Sequence, residues 1–203
     1  GIFGYRYRQF DYTADDWLDT AETFKSDVRD SRSHAIYVGA DHDFRPDLTA
    51  SLRAGAQVSD YYEMPDSDTH WSPYAQGTVR WTYAQESFLE GGLTYDISAT
   101  DLIGIQGDTM TTDAEALVLY ANWTHRIASK VYGSLLASFQ NSTLQGGMYD
   151  SDTEQFYSAG VNIEYRFDKN ISAHVGYNFD KLVSDIDRDF NRNRVYVGVT
   201  ARY

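Results

Sequence analysis

Residues 195–203 read Val-Tyr-Val-Gly-Val-Thr-Ala-Arg-Tyr, an alternating stretch that decides the fold class. Because successive side chains of a β-strand point to opposite faces, the three valines share an apolar face with Ala201 and Tyr203. The other face is polar and ends near Arg202. A strand of a transmembrane barrel has this pattern, with apolar side chains toward lipid and polar ones toward the lumen. An edge strand of a soluble sheet can alternate in the same way.

The same alternation recurs about ten times along the chain. Most repeats are near eleven residues, whereas soluble strands typically have about 5–6. A tilted strand of about this length crosses the hydrocarbon layer of a membrane. We therefore predict a single all-β domain over residues 1–203, an antiparallel up-and-down transmembrane barrel of about ten strands. The predicted strands span residues 2–12, 34–44, 48–59, 73–84, 88–97, 114–124, 130–140, 155–167, 170–180 and 194–203.

The connections between these strands alternate between tight turns and long loops, as they do in outer-membrane barrels. The long connections hold 19 acidic and six basic residues, so the whole net charge of −13 lies in them. The strands and tight turns are balanced. This predicts one strongly acidic rim of long loops and one nearly neutral rim of short turns. The predicted long loops cover residues 13–33, 60–72, 98–113, 141–154 and 181–193.

Composition limits the alternatives. No stretch approaches the ~18 consecutive apolar residues of a transmembrane helix, and the absence of cysteine excludes disulfides and thiolate metal sites. Binding to nucleic acid needs lysine and arginine, so the net negative charge disfavours that partner. A soluble sandwich or lipocalin-like barrel would also alternate, with its apolar face inward. Aromatic residues beside the tight turns favour the membrane interpretation, because interfacial girdles lie there. They are Trp81, Tyr83, Trp123, Phe167 and Tyr203.

Three stretches resemble bacterial outer-membrane β-barrels of the porin type, the putative β-barrel porin group. They are the strand-turn-strand run of residues 165–171, the final residues 197–203, and residues 4–12, which begin Gly-Tyr-Arg-Tyr. The resemblance implies an outer-membrane location, contact with the lipid bilayer and lipopolysaccharide, and recognition of the strand ending at Tyr203 by the barrel-insertion machinery. Many members of the group are longer, so the ten strands can also be the C-terminal part of a larger barrel. The resemblance implies no particular solute.

The inward-facing residues are the candidates for function. Charges inside a barrel must be paired or hydrated. They predict either a salt-bridge network that fills the lumen or a constriction whose charge selects ions. Pairing of the first and last strands would bring the arginines at positions 6 and 8 near those at 194 and 202, with Glu164 and Asp180 as counter-ions. The predicted lumen residues are Arg6, Arg8, Arg53, Arg80, Glu90, Asp96, Glu164, Arg166, His174, Asp180, Arg194 and Arg202.

Three functions remain open at this point. The first is a porin-like passive channel whose acidic mouth favours cations. The second is a non-conducting scaffold or adhesin-type barrel that binds a protein partner through its long loops. The third is an outer-membrane hydrolase that uses Ser172 and His174, although alternate residues of a strand lie ~6–7 Å apart, too far for a nucleophile and its base. We predict the channel, with no catalytic residue, metal site or cofactor.

Two loops carry additional signals. Trp17, Ala21 and Phe24 have helical spacing, so a short helix is predicted that either plugs the mouth or binds a partner. Residues 185–193 alternate oxygen-bearing side chains as calcium loops do. They lack the glycine and the final glutamate of an EF-hand, so a solvated acidic loop is the expectation.

Overall fold

The structure is a computed structural model that describes residues 1–202 except residues 15, 20, 21, 23, 65–68, 101 and 108. Its strands are β1 (Ile2–Phe10), β2 (Ser31–Arg45), β3 (Leu48–Asp60), β4 (His70–Ala84), β5 (Ser87–Ala99), β6 (Ile105–Gln106), β7 (Thr109–Met110), β8 (Asp113–Ala128), β9 (Val131–Gln145), β10 (Thr153–Arg166), β11 (Ile171–Ser184) and β12 (Phe190–Ala201). Short 3-10 helices cover Ser26–Arg29 and Gly147–Tyr149. No helix of the described residues is long and apolar enough to cross a membrane.

Ten strands form one antiparallel sheet in the order β1-β2-β3-β4-β5-β8-β9-β10-β11-β12, and β6 pairs with β7 in a separate hairpin. The ten predicted strands and four tight turns are confirmed. Several strands extend further toward the long loops than predicted, because polar residues continue the backbone pairing where the apolar alternation has ended. β9 runs to Gln145 and β12 begins at Phe190, for example. The β6–β7 hairpin was not predicted, since two-residue strands are too short to show a period.

The register keeps the apolar residues of neighbouring strands on one face. Leu89, Trp123, Leu135, Val161 and Tyr177 form one such row across five strands. This face is exposed, reaching 76% at Phe3 and 78% at Val197. The arrangement is opposite to the soluble alternative, in which the apolar face would point inward.

The sheet is curled around its polar face. Arg6 on β1 forms an ion pair with Asp96 on β5 at 2.9 Å, although three strands lie between them. At the other end of the strands, Arg166 of β10 reaches Glu86 in the β4–β5 turn at 3.5 Å. Because both contacts join polar side chains across several strands, the polar face is concave and the apolar face is convex.

The sheet is open among the described residues: β1 pairs only with β2, and β12 only with β11. The predicted pairing of the first and last strands is therefore wrong for this structure. The physical reason lies in the curl of the first five strands, which carries β1 toward β5, where Arg6 and Arg8 find Asp96.

Glycines on the concave face make room for aromatic rings of the neighbouring strand. Gly4 lies opposite Tyr37, and Gly176 opposite Tyr196. A Cβ atom at either glycine would lie 2.2–2.3 Å from the facing ring. Such close approaches are a recognised role of glycine in strands and accompany sheet curvature.

The first three long loops pack together over the long-loop rim, and we call this unit the loop dome. It comprises the described residues of 11–30, 61–69 and 100–112. Phe24, Val28 and Met110 form its buried core. Leu18, Met64 and Ile105 pack against that core. The dome therefore joins all three loops through apolar contacts.

The predicted helix in the first loop is not present in its described residues. Trp17 and Lys25 form an antiparallel bridge, and the Leu18 amide donates to the Phe24 carbonyl at 2.8 Å. Ala21 lies outside the described residues. Phe24 is buried inside the dome, so its side chain is not available as part of a partner-binding patch.

Candidate lumen

The concave face carries a charged cluster just below the loop dome, which we call the upper cluster. It consists of Arg6, Arg8, Gln57, Tyr74 and Asp96. Asp96 accepts from Arg6 at 2.9 Å and from Arg8 at 3.3 Å. Arg6 also donates to the Gln57 side chain at 3.3 Å, and its guanidinium lies 4.9 Å from the centre of the Tyr74 ring. Since two arginines share one carboxylate, the upper cluster has a net positive charge.

A second cluster lies on the same face at the short-turn rim, and we call it the lower cluster. It consists of Glu86, Arg126, Tyr132, Glu164 and Arg166. Glu86 binds Arg126 at 3.0 Å and accepts from the Tyr132 hydroxyl at 2.8 Å. The Arg166 guanidinium stacks 3.6 Å from the centre of the Tyr132 ring and donates to Glu164 at 3.2 Å. These contacts join the β4–β5 turn to β8, β9 and β10.

Asp180 forms the third ionic centre of the concave face. This carboxylate is 2% exposed and accepts from Arg192 at 2.8 Å, from Arg194 at 3.1 Å and from the Ser158 hydroxyl at 2.9 Å. Both arginines belong to the edge strand β12, so Asp180 is an anchor for that strand. Two simpler pairs complete the face: Arg53 with Asp41 and Arg80 with Glu90, each at 3.2 Å.

The predicted lumen residues share one face, but some of their predicted partners are wrong. Arg6 and Arg8 do not approach the arginines of β12, because they turn to Asp96. Asp180 holds Arg194 as expected. Glu164 pairs with Arg166, and Glu164 and Arg202 line the same cavity. His174 packs beside Gly198 and the Tyr196 ring.

Three charged residues of the site that lie outside the predicted strands were missed by the sequence analysis. Glu86 and Arg126 were assigned to tight turns and Arg192 to the fifth loop, because only the inward residues of predicted strands were considered. Tyr132 and Gln57 could have been identified from the sequence, because they alternate with apolar neighbours on β9 and β3 and so belong to the inward face.

The arrangement offers no support for the hydrolase. Ser172 lies opposite Arg166 in the strand register, whereas His174 lies opposite Glu164, and no hydrogen bond among the described residues joins Ser172 to His174. No three His, Asp or Glu side chains in the described part of the chain converge on a possible metal position. In the fifth loop, Asp185 accepts from the amide and hydroxyl of Thr153 at 2.9 and 2.7 Å, which ties the loop to β10.

Two cavities lie along the concave face toward the short-turn rim. A cavity of about 530 Å³ lies beside the lower cluster and extends to Ser172, Thr200 and Arg202. Another of about 370 Å³ follows Asp41, Arg53 and the residues around them. The opposite half is crossed by the upper cluster and covered by the loop dome. Both cavities therefore lie in the half of the concave face that is nearer the short turns.

A long-stranded antiparallel sheet, curled around a charged face with its apolar residues outward, is typical of proteins of the β-barrel class. Comparison with protein families agrees: residues 71–203 match the family described as Putative beta-barrel porin 2. The match covers about two thirds of the chain, from the start of β4 through β12, and the chain therefore belongs to this porin family. No curated protein matches the chain.

Proposed function

We propose that the protein is an integral barrel of the bacterial outer membrane that passes small solutes or ions and favours cations. The observation that carries the proposal is the polarity of the sheet. Exposed apolar residues cover the convex face, and charged residues line the concave one. This polarity fits a protein that has hydrocarbon on its outer side and water on its inner side.

Aromatic side chains near the short-turn rim support a membrane location. Trp123 donates its indole N–H to the Tyr83 hydroxyl at 2.8 Å and stacks on His125. Trp81 packs against Tyr83 and donates to Asp47 in the β2–β3 turn at 3.2 Å. Amphipathic rings with an apolar body and a hydrogen-bonded edge suit the membrane–water interface.

The charge distribution supports a preference for cations. With the strand bounds of the structure, the five long loops hold 17 acidic and three basic residues. On the concave face, the upper cluster and the Asp180 centre each have one arginine more than they have carboxylates, which is a small charge beside the 14 net negative charges of the long loops. The sign of the long-loop rim therefore sets the local concentration of ions, and a negative rim enriches cations.

The first test is conductance of the refolded protein in a planar bilayer under a salt gradient. We expect stable conductance steps and a reversal potential whose sign shows that cations pass more readily than anions. A heat-dependent shift in gel mobility controls for folding before insertion. Anion-selective steps from folded protein would contradict the proposed preference, and folded protein that inserts without conducting would contradict the channel itself.

Asp96→Asn tests the upper cluster as the selective constriction. The substitution leaves Arg6 and Arg8 without their shared carboxylate, so the local potential becomes more positive. One unit charge at about 4 Å in water is worth about 1 kcal/mol, or about fivefold for each ion, and its loss disfavours cations and favours anions, so the cation-to-anion permeability ratio should fall by up to about 30-fold. Asp47→Asn is the matched control, because it removes the same charge from the convex side of a turn. Equal ratios in the two variants would remove the upper cluster from selectivity.

A non-conducting scaffold is the second candidate, and the loop dome favours it. The dome and the upper cluster both restrict passage at the long-loop rim. A barrel that inserts silently and binds a partner only when the first three loops are intact would have this function.

A further inference from the structure

A buried carboxyl group lies where the loop dome meets the sheet. Asp113 is the first residue of β8 and is 1% exposed. It lies outside the apolar band, which begins on this strand at Leu117. The Tyr61 hydroxyl, at the start of the second long loop, contacts two oxygen atoms. One is the Thr112 carbonyl at 3.0 Å, and the other is Oδ1 of Asp113.

The two contacts of the Tyr61 hydroxyl indicate whether Asp113 carries a proton. Two oxygen–oxygen contacts need one proton each, and a tyrosine hydroxyl carries only one. The Thr112 carbonyl has none to give. Both hydrogen bonds are therefore satisfied when the Asp113 carboxyl is protonated, donating to Tyr61, while Tyr61 donates to Thr112.

The surroundings of the second carboxyl oxygen also indicate that Asp113 is protonated. Oδ2 of Asp113 is buried and has no hydrogen-bond partner among the described residues. A buried negative charge without a donor is costly, whereas a neutral carboxyl tolerates one unpaired oxygen much better.

The groups around Asp113 have opposing effects on its pKa. The pKa of Asp113 is raised to about 6, first by burial and then by the nearby charge of Glu115. The Tyr61 hydrogen bond and the charge of His70 act in the opposite direction. Burial also raises the pKa of Tyr61, whose other neighbour is Tyr12 of the first loop, so this side chain stays a neutral hydroxyl.

We propose that Asp113 is a proton-operated latch of the loop dome. When protonated, it holds Tyr61 and Thr112 together and so fastens the second loop to the third. When ionised, it no longer donates to Tyr61, and the buried charge favours opening of the dome. The latch operates whether or not the barrel conducts.

The direction of the pH effect follows from linkage. The pKa of Asp113 is higher in the closed dome than the usual value of 3.8. Its stabilisation of the closed dome is complete below that usual value and is lost as the pH rises through about 6. A shift of about two pH units corresponds to about a 100-fold change in the closing equilibrium.

Hydrogen exchange of the full refolded chain in detergent tests the latch between pH 4 and 7.5. We expect amides of 61–64 and 109–113 to lose protection by up to about 100-fold as the pH rises, after correction for the intrinsic exchange rate. Asp113→Asn should stay protected throughout, because the amide N–H₂ donates to Tyr61 as the protonated carboxyl does. Tyr61→Phe should be unprotected throughout.

Asp11→Asn is the matched control. Asp11 accepts from Tyr62 at 2.7 Å, also between the first two loops, but this exposed pair needs only the tyrosine proton. Its pH profile should equal that of the unsubstituted chain. The latch is overturned if protection of the unsubstituted dome does not change with pH, or if Asp113→Asn retains the same change. Should Asp113→Asn not fold, retention of the pH change in Tyr61→Phe overturns it instead.

Discussion

Replacing Asp180 by asparagine should lower the free energy of unfolding by about 2 kcal/mol. Removing one partner of a buried ion pair costs about 3–5 kcal/mol, because the remaining charge loses its compensation. The expected loss is smaller here, since the side chains of Arg192 and Arg194 are about half exposed. Asparagine keeps the size of the side chain, so the effect reports the lost charge. The edge strand β12 should detach first.

Urea unfolding of the protein in lipid vesicles, followed by tryptophan fluorescence, measures this effect. Asp41→Asn is the matched control, because its side chain is 58% exposed and its one ion-pair partner in the described part of the chain is Arg53. An exposed pair of this kind is worth about 0–1 kcal/mol. Hydrogen exchange in β12 should increase only in the Asp180 variant. Similar losses in both variants would show that Asp180 does not anchor the strand.

The extent of the sheet could be predicted from the sequence because alternation is a local property. The pairing of side chains could not, as Asp96 illustrates. Its place on the inward face follows from parity, but its contact with Arg6 depends on how tightly five strands curl. Periodicity contains no measure of that curvature. The prediction that the first and last strands pair failed for the same reason.

Strand ends limited the prediction of the site in a different way. Arg192 belongs to β12 and binds Asp180, but the apolar alternation begins only at Val195. Outside the apolar band, strand residues need not alternate, so polar strand ends resemble loops. Tyr61 and Asp113 were missed for this reason, since their contact joins two segments that the sequence predicts as long loops.

Gly55→Ala should have the largest effect on folding. Gly55 lies between Tyr37 of β2 and Tyr74 of β4, whose ring centres are 5.4 Å apart. A Cβ atom at this position would be 1.9 Å from the Ile36 carbonyl oxygen and 2.6 Å from the Tyr37 Cα. Both are backbone atoms, which cannot move aside without disturbing the β2–β3 pairing. We expect a loss of about 3 kcal/mol or more, seen as loss of the heat-modifiable folded band and a lower urea midpoint.

Gly77→Ala provides the matched comparison on the adjacent strand β4. There the nearest atom to an added Cβ is Cδ1 of Leu52 at 3.6 Å, an ordinary contact. Because alanine also restricts the unfolded chain, this variant should be neutral or more stable by about 0.4–1 kcal/mol. Equal stability of the Gly55→Ala and Gly77→Ala variants would mean that β2 and β3 do not approach so closely at Gly55. The tight curl that brings Arg6 to Asp96 depends on close packing within these first strands, so the same result would also contradict that curl.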